Sequence, residues 1–224
     1  MEERKESQEL INYLSAFVSE ERKGKFDQII KNRTRHLTLV LEDTYQPHNA
    51  SAVLRSCDCF GIQDVHIIEN RNKYTVNQDI ALGSSKWLTQ IKYKDTTECL
   101  ILLKKQGYRI VATSPHENEF TLQELDISPK TALVFGTELT GISEEVRKQA
   151  DGFIKIPMFG FTESFNISVS ASICLHTLVH KLHLSGLDWH LTEEEKKGIR
   201  TQWLRNSIQK SELIEEEYYK RKNA

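Results

Sequence analysis

Side chains that could bind a phosphate or a sugar occur in three short stretches of this 224-residue chain. In the first stretch, Asn49 and Arg55 fall within about two turns of a predicted helix that follows an apolar run. The guanidinium group of an arginine offers a planar fork of donors that suits phosphate oxygens. Alone, Asn49 is typical of a helix N-cap and Arg55 of a surface ion pair. Together, directly after a strand, they indicate a phosphate or ribose site.

The second stretch is a loop in which Gly136 and Gly141 flank Glu138. Glycines at such places allow the backbone to approach a ligand closely or to adopt a positive φ. The loop lacks the Gly-Lys-Ser/Thr ending of a P-loop and the G-x-G-x-x-G pattern of dinucleotide-binding folds, so it does not favour ATP or NAD. Glu138 is either a solvated loop carboxylate or a group that orients a ligand.

The third stretch joins a strand to a long helix and contains Pro157, Gly160, Ser164 and Asn166. The free N–H groups at a helix start, together with unpaired loop backbone, can build a ligand site. Ser164 and Asn166 are also typical helix caps. No histidine or aspartate stands where it would activate Ser164 as a nucleophile, and no metal-ligand spacing occurs in the sequence. Hydrolase and metalloenzyme chemistry are therefore not indicated.

The elements that position these stretches alternate between short apolar, β-rich runs and helical patterns. Such alternation predicts an α/β domain with a mostly parallel sheet and helices on both faces. Each of the three stretches follows a predicted strand, and ligands in open α/β sheets bind at the carboxyl ends of strands. The predicted strands are residues 37–41, 64–68, 87–93, 108–112, 131–135 and 153–156, and the predicted helices are residues 49–60, 96–106, 143–149 and 165–184.

Composition limits the class of protein. The hydrophobic content of 38% and charged content of 28% are ordinary for a globular protein with one core, and no apolar run is long enough to cross a membrane. The charged amino terminus does not resemble a secretory signal, so we expect a cytoplasmic protein. The 4 cysteines have neither zinc-site nor disulfide-scaffold spacing and are expected to be reduced.

Positive charge gathers near the chain ends although the net charge is only -2. An amphipathic helix is predicted around Leu10 and Phe17, and a basic stretch follows it. Such a stretch is either a solvated helix face or a surface that contacts nucleic acid. Its basic residues are Arg22, Lys23, Lys25, Lys31, Arg33 and Arg35.

Taken together, the three stretches resemble the motifs of the SPOUT superfamily of RNA methyltransferases, and within it the TrmH-like tRNA guanosine 2′-O-methyltransferases. The first motif matches Asn49-x-x-Ala52-x-x-Arg55, the second matches residues 135–141, and the third matches residues 156–171. The order and spacing of all three agree from about residue 37 to residue 184.

The resemblance implies a deep trefoil knot near the carboxyl side of the sheet and a homodimer whose active sites use both subunits. It also implies that S-adenosyl-L-methionine (AdoMet) is the cofactor, held mostly by backbone in the knotted loops. The matching cofactor positions are Thr113, Leu133, Gly136, Ile156, Met158 and Ile167.

The implied reaction transfers a methyl group to a ribose 2′-hydroxyl, with Arg55 central and Asn49, Glu138, Ser164 and Asn166 supporting it. Because a guanidinium group stays protonated, we expect Arg55 to hold an RNA phosphate and stabilise the developing alkoxide rather than to act as a base. The expected organisation is a basic helical extension over residues 1–36, a SPOUT domain over residues 37–186 and a helical tail over residues 187–224.

Extensions of this kind favour tRNA, specifically the D-loop guanosine at position 18, as the substrate. Three alternatives stay open. The first is 2′-O-methylation of rRNA or of another tRNA nucleotide, and the second is a catalytically silent RNA-binding module of the same fold. The third is a nucleotide-binding α/β protein unrelated to RNA.

Overall fold

The computed structural model describes residues 8–44, 46–70, 83–114, 120–137 and 140–222. The chain divides into two units. One, which we call the sheet unit, is Thr34–Trp189. The other, which we call the terminal unit, combines Met1–Arg33 with His190–Ala224. The two chain ends, expected from the sequence as separate extensions, thus lie in one unit.

The sheet unit contains seven strands whose described pairings are all parallel, in the order β3-β2-β1-β6-β4-β7-β5. The central strands β1 and β6 are buried along their whole length, which explains their continuous apolar sequence. The strands are β1 Leu37–Glu42, β2 Asp64–Ile68, β3 Thr89–Tyr93, β4 Arg109–Thr113, β5 Phe120–Thr121, β6 Thr131–Phe135 and β7 Gly152–Lys155.

Helices cover both faces of this sheet, as the alternating pattern predicts. Within the described residues the α-helices are α1 Gln8–Ser15, α2 Glu20–Ile29, α3 Pro47–Cys59, α4 Thr96–Lys105, α5 Glu144–Gln149, α6 Ile167–Leu184, α7 Glu193–Ser207 and α8 Ser211–Lys222. Helices α3 and α6 pack on one face, around Leu39 and Leu41 of β1. Helices α4 and α5 pack on the other face, around Val40.

Helix ends follow the capping signals in the sequence. The hydroxyl of Ser143 accepts a hydrogen bond from the N–H of Val146 at 3.2 Å, which caps α5. Thr192 and Glu195 form the reciprocal capping box at the start of α7. Gly107, which follows α4, has a φ of +85°, a conformation that favours glycine. These local signals are confirmed.

The terminal unit is helical. Helix α1 packs against α7 and α8, and the ring of Phe26 in α2 lies 5.4 Å from that of Trp203 in α7. The apolar spacing of α1 and α7 was visible in the sequence. The sequence predicted helical extensions over residues 1–36 and 187–224 without separate bounds for α2 and α8, and it did not predict the two-residue strand β5. No helix among the described residues is both long and apolar enough to span a bilayer.

Candidate active site

A cleft of about 480 Å³ opens at the carboxyl ends of three neighbouring strands, β6, β4 and β7. Thr113 ends β4, Phe135 ends β6, and Ile154 lies near the end of β7, and all three side chains line the cleft. The loops that follow these strands supply the other walls. The cleft therefore lies where ligands bind in open α/β sheets.

The first and third sequence stretches meet at this cleft. The Nδ2 of Asn166 donates a hydrogen bond to the Oδ1 of Asn49 at 2.9 Å, and both residues line the cleft. Further along the same two helices, the hydroxyls of Ser56 in α3 and Ser172 in α6 are 2.8 Å apart. The start of α6 is thus held against α3 by polar contacts.

Asn166 also caps α6. Its Oδ1 accepts hydrogen bonds from the N–H of Ser168 at 2.8 Å and from the hydroxyl of Ser168 at 2.6 Å. The capping interpretation that the sequence allowed for Asn166 is correct, and the same side chain also contacts Asn49. Ser164 lines the cleft but does not cap α6.

Asn49 is not an N-cap, which corrects the ordinary interpretation of this residue. Helix α3 begins at Pro47, whose fixed φ suits a first turn, and the N-cap residue is Gln46. Asn49 is buried inside the first turn, and its Nδ2 donates to the Oε1 of Gln46 at 3.2 Å. Its side chain is therefore held by neighbours at the cleft wall rather than used to end a helix.

Arg55 lies on the exposed surface of α3 and is not among the described residues that line the cleft. It is close in sequence to Ser56, which contacts α6. Across the described parts of the chain, Arg55 has no hydrogen bond or ion pair, so its guanidinium group faces solvent.

The second sequence stretch forms a tight loop at the cleft. Thr137 and Gly141 exchange two backbone hydrogen bonds of 2.9 and 3.1 Å, and Gly141 has a φ of +69°. A Cβ on Gly136 would lie 2.2 Å from the carbonyl carbon of Gly141, far inside van der Waals contact. Glycine at position 136 is therefore required for this loop. Glu138 lies outside the described residues, and its role stays a prediction.

The residues proposed from the sequence to bind a cofactor mostly converge here. Thr113, Gly136, Ile156, Met158 and Ile167 line the cleft. Leu133 does not: its side chain is fully buried in the middle of β6, within the core that α3 and α6 cover. Because the resemblance implies a cofactor held mostly by backbone, the burial of this side chain does not test the assignment of Leu133, which stays a prediction.

Sequence reasoning missed several polar residues of the cleft wall, including Gln46, Ser114 and Arg147. Ser114 directly follows β4, a position that the rule about carboxyl strand ends could have identified. Arg147 lies in α5, where a basic residue near a helix end has an ordinary explanation in the helix dipole. Its place at the cleft depends on how α5 packs, which no local pattern encodes.

The largest pKa shifts among the described residues lie outside the cleft. Burial lowers the pKa of His66 in β2 to about 4. Burial raises the pKa of Cys99 in α4 to about 12, and the nearby carboxylate of Glu42 adds to the effect. Cys174 in α6 is likewise raised to about 12 by burial. These groups are parts of the core, and no cluster of three or more candidate metal ligands occurs in the described residues.

The six basic residues proposed to contact RNA have different environments. Arg22, Lys25 and Lys31 are exposed. Lys23 pairs with Glu20 at 2.7 Å on the surface of α2, a type of exposed pair that contributes little to stability. These four residues present positive charge to solvent along one short segment.

The other two basic residues are engaged within the fold. Arg33 is only 1% exposed and its guanidinium carbon lies 5.4 Å from the ring centroid of Trp203, so its assignment as a surface RNA contact is wrong. Arg35 is partly buried, and its Nε donates to the Oδ2 of Asp64 at 2.8 Å. Charge alone could not separate these packed arginines from exposed ones.

Comparison with known proteins places these features in a family. Residues 36–176 match the model of the SpoU rRNA Methylase family. The tRNA (guanosine(18)-2′-O)-methyltransferase of Borreliella burgdorferi is 44% identical over 205 residues, which cover 92% of this chain and 94% of that protein.

Solved structures agree at the level of the fold. The A. aeolicus TrmH/SpoU tRNA modifying enzyme superposes with a TM-score of 0.78 at 31% identity, covering 85% of this chain and 98% of that one. The SpoU methyltransferase AviRb from Streptomyces viridochromogenes, in complex with AdoMet, shares the fold. It superposes with a TM-score of 0.60 at 20% identity, and the match covers 70% of this chain and 62% of that one. The three sequence motifs, the parallel sheet and the cleft at its carboxyl edge agree with these matches, and the chain belongs to the SpoU methylase family.

Proposed function

We propose that this protein transfers a methyl group from AdoMet to a ribose 2′-hydroxyl of tRNA, at the guanosine in position 18. The observation that supports this most directly is the hydrogen bond between Asn166 and Asn49, because it joins two of the three motif stretches at one cleft. The 44% identical relative carries that activity in its name.

The cleft has the features that AdoMet requires. Its volume is within the range of ~300–1,000 Å³ that is typical of small-molecule sites. The wall combines apolar side chains, such as Ile156 and Met158, with polar groups such as Thr113 and Ser114. The close approach of Gly136 to Gly141 leaves backbone rather than side chain at one wall. Thr113, Gly136, Ile156, Met158 and Ile167 would hold the cofactor.

The sulfonium of bound AdoMet supplies an already activated methyl group, so the protein chiefly has to align the 2′-hydroxyl and provide for its proton. We assign the first task to Arg55, whose guanidinium group holds an RNA phosphate and stabilises the developing alkoxide. The phosphate or solvent accepts the proton, since Arg55 stays protonated. Asn49, Ser164 and Asn166 position the segments around the reacting oxygen, and Glu138 supports them.

Arg55→Lys tests this role. Lysine keeps the charge but loses the planar fork of donors, so we expect turnover to fall on the order of 100-fold, as for loss of one transition-state donor. Because Arg55 is exposed, thermal stability should stay within about 1 °C of wild type. Single-turnover methyl transfer and a melting curve measure the two effects, and near-full turnover in Arg55→Lys would exclude bidentate binding.

The same proposal includes the residues that contact tRNA, a homodimer and a cytoplasmic location. We assign the exposed residues Arg22, Lys25 and Lys31, together with the partly buried Lys23, to the tRNA backbone, since phosphate contacts give affinity and register but not base identity. Fully exposed Phe159 and Phe161 in the loop beside the cleft favour a homodimer that covers them. The knotted loops and a cytoplasmic location are further parts of the proposal.

The deciding experiment incubates the protein with unmodified tRNA transcripts and methyl-labelled AdoMet, and then maps the modified ribose. Label at guanosine 18 is the expected result. Transfer to rRNA and to no tRNA would mean that rRNA is the substrate and that the proposed methyl transfer is correct. Saturable AdoMet binding without transfer to any RNA would favour the silent RNA-binding module, and absence of AdoMet binding would contradict the proposed cofactor.

A further inference from the structure

A buried carboxylate, that of Glu42, ends the central strand β1 and is only 2% exposed. Its Oε1 accepts hydrogen bonds from the hydroxyls of Thr96 and Ser143, each at 2.7 Å. Its Oε2 accepts from the backbone N–H of Ser143 at 3.0 Å. Among the described residues no cation pairs with Glu42, so its charge is compensated by these donors.

The donors belong to helix starts on one face of the sheet. Thr96 is the first residue of α4, and its hydroxyl oxygen accepts a hydrogen bond from the Nδ2 of Asn70 at 2.7 Å. Ser143 is the N-cap of α5. Glu42 is therefore held between the beginnings of α4 and α5, where helix dipoles favour a negative charge. The Cys99 thiol, which this charge affects, lies in α4.

Ser143 connects this network to the cleft. The two residues before it, Gly141 and Ile142, both line the cleft, whereas Glu42 and Ser143 are not among the described residues that do. The described parts of the glycine loop, residues 136–137 and 140–141, are thus held at one end by β6 and at the other by a serine that Glu42 binds through both its N–H and its hydroxyl.

We propose that Glu42 is the positioning residue of the glycine loop: by holding Ser143 with both carboxylate oxygens it sets the position of Gly141 and Ile142 at the cofactor cleft. This inference rests on the proposed function, in which that loop binds AdoMet. Glu42 acts through Ser143 and does not touch the reacting atoms. The sequence shows no sign of it, because Glu42 and Ser143 are distant in the chain.

The substitution Glu42→Gln isolates the contact. It keeps the volume and one acceptor. One carboxylate oxygen becomes an amide nitrogen, which cannot accept: it faces either the N–H of Ser143 or the hydroxyls of Thr96 and Ser143, whose oxygens already accept from Asn70 and Val146. In either orientation at least one donor to residue 42 loses its acceptor. We expect the Kd for AdoMet, measured by calorimetry on the full chain, to rise roughly tenfold, as for loss of a hydrogen bond to a charged acceptor.

A double-mutant cycle separates positioning from general destabilisation. Ser143→Ala removes the hydroxyl that bonds Glu42, and we expect it also to weaken AdoMet binding. Because both changes weaken the same link between Glu42 and Ser143, the double variant should bind AdoMet no more weakly than the worse single variant. Thr192→Ala is the matched control: it removes a hydroxyl cap from α7, in the terminal unit, and should lower the melting temperature while leaving the AdoMet Kd within twofold of wild type.

The outcomes are distinguishable. If wild type fails to bind AdoMet, the proposed function is wrong. If wild type binds and folded Glu42→Gln binds within twofold of it, or if the two substitutions add independently, Glu42 is only structural. Should Glu42→Gln fail to fold, Ser143→Ala decides alone, and an unchanged AdoMet Kd in that variant overturns the inference.

Discussion

Asn166 caps α6 and reaches α3 with the same side chain. Its carbonyl oxygen accepts from Ser168, while its amide nitrogen donates to Asn49. An amide suits this place because it is the smallest side chain that carries a donor and an acceptor on one planar group. Aspartate could cap equally well but could not donate. The requirement for both functions is the physical reason for asparagine at position 166.

This division of roles predicts two different stability costs. Asn49→Ala breaks the bond to Asn166 and the longer bond to Gln46, and should cost about 1 kcal/mol of unfolding free energy. Asn166→Ala also loses the cap and should cost about 2 kcal/mol. Urea unfolding of both single variants and of the double variant measures the coupling, which we expect to be about 1 kcal/mol. Strictly additive costs would mean that the bond does not stabilise the fold.

The lowered pKa of His66 makes the unfolding free energy depend on pH, in a direction that can be worked out. Burial lowers its pKa from 6.5 to about 4, so the folded state keeps it neutral while the unfolded chain binds a proton below about pH 6.5. Its contribution to stability is therefore complete above pH 6.5 and falls as the pH drops toward 4. From about pH 7.5 to about pH 5, linkage gives a loss of about 2 kcal/mol from this residue.

The substitution His66→Asn tests that effect. Asparagine can keep a polar atom near the hydroxyl of Tyr93, which lies 3.0 Å from the Nδ1 of His66, but it does not titrate. Although His66→Asn is expected to be less stable at neutral pH, its unfolding free energy should fall less steeply on acidification. Parallel pH profiles for wild type and variant would show that another group dominates acid unfolding.

At the scale of elements, the turn that follows β6 requires a glycine, the residue without a Cβ, at position 136. The Cβ of an alanine at position 136 would collide with backbone atoms of Gly141 and Ile142, at 2.2 and 2.3 Å, and backbone cannot move aside as a flexible side chain can. The two hydrogen bonds between Thr137 and Gly141 fix the same approach. The loop must therefore open to accept any larger residue.

Gly136→Ala should accordingly destabilise the fold by about 2 kcal/mol, within the range for overpacking, and should abolish measurable AdoMet binding. Gly198→Ala is the matched control, since an added Cβ there meets nothing within 4 Å. Position 198 lies inside α7, so alanine should stabilise the helix by about 0.5–1 kcal/mol. Thermal unfolding and calorimetric titration measure both effects. Normal AdoMet binding by Gly136→Ala would remove this loop from the cofactor site.

Strands and helix ends were predictable because their signals are local. Continuous apolar runs gave the buried strands to within a residue or two, and the cap at Ser143 followed from residue type alone. Contacts between distant segments leave no such pattern. The bond from Asn166 to Asn49, the packing of Arg33 on Trp203 and the burial of Leu133 each depend on tertiary neighbours. Family motifs could name most cleft residues, yet not which side chains point into the core.

At the scale of the whole molecule, the segment that closes the cleft is unusually apolar at its surface. Phe159 and Phe161 are fully exposed, and Phe165 and Val169, at the start of α6, are partly so. These four exposed apolar side chains are close in sequence, and clusters of exposed apolar side chains mark association sites. Since the same segment lines the cleft through Met158 and Phe165, association there would also enclose the site.

The proposed homodimer predicts that Phe161→Ser yields monomers. Light scattering should give wild type a mass twice the 26.0 kDa of one chain and give Phe161→Ser the mass of one chain. Methyl transfer should fall with dimer content, because each site would lack its partner subunit, and activity should partly recover at high protein concentration. Ile101→Ser, on the exposed face of α4, is the control and should leave both mass and activity unchanged. A wild-type monomer with full activity would refute an active site shared between two subunits. An active Phe161→Ser dimer would show that the interface lies on another surface.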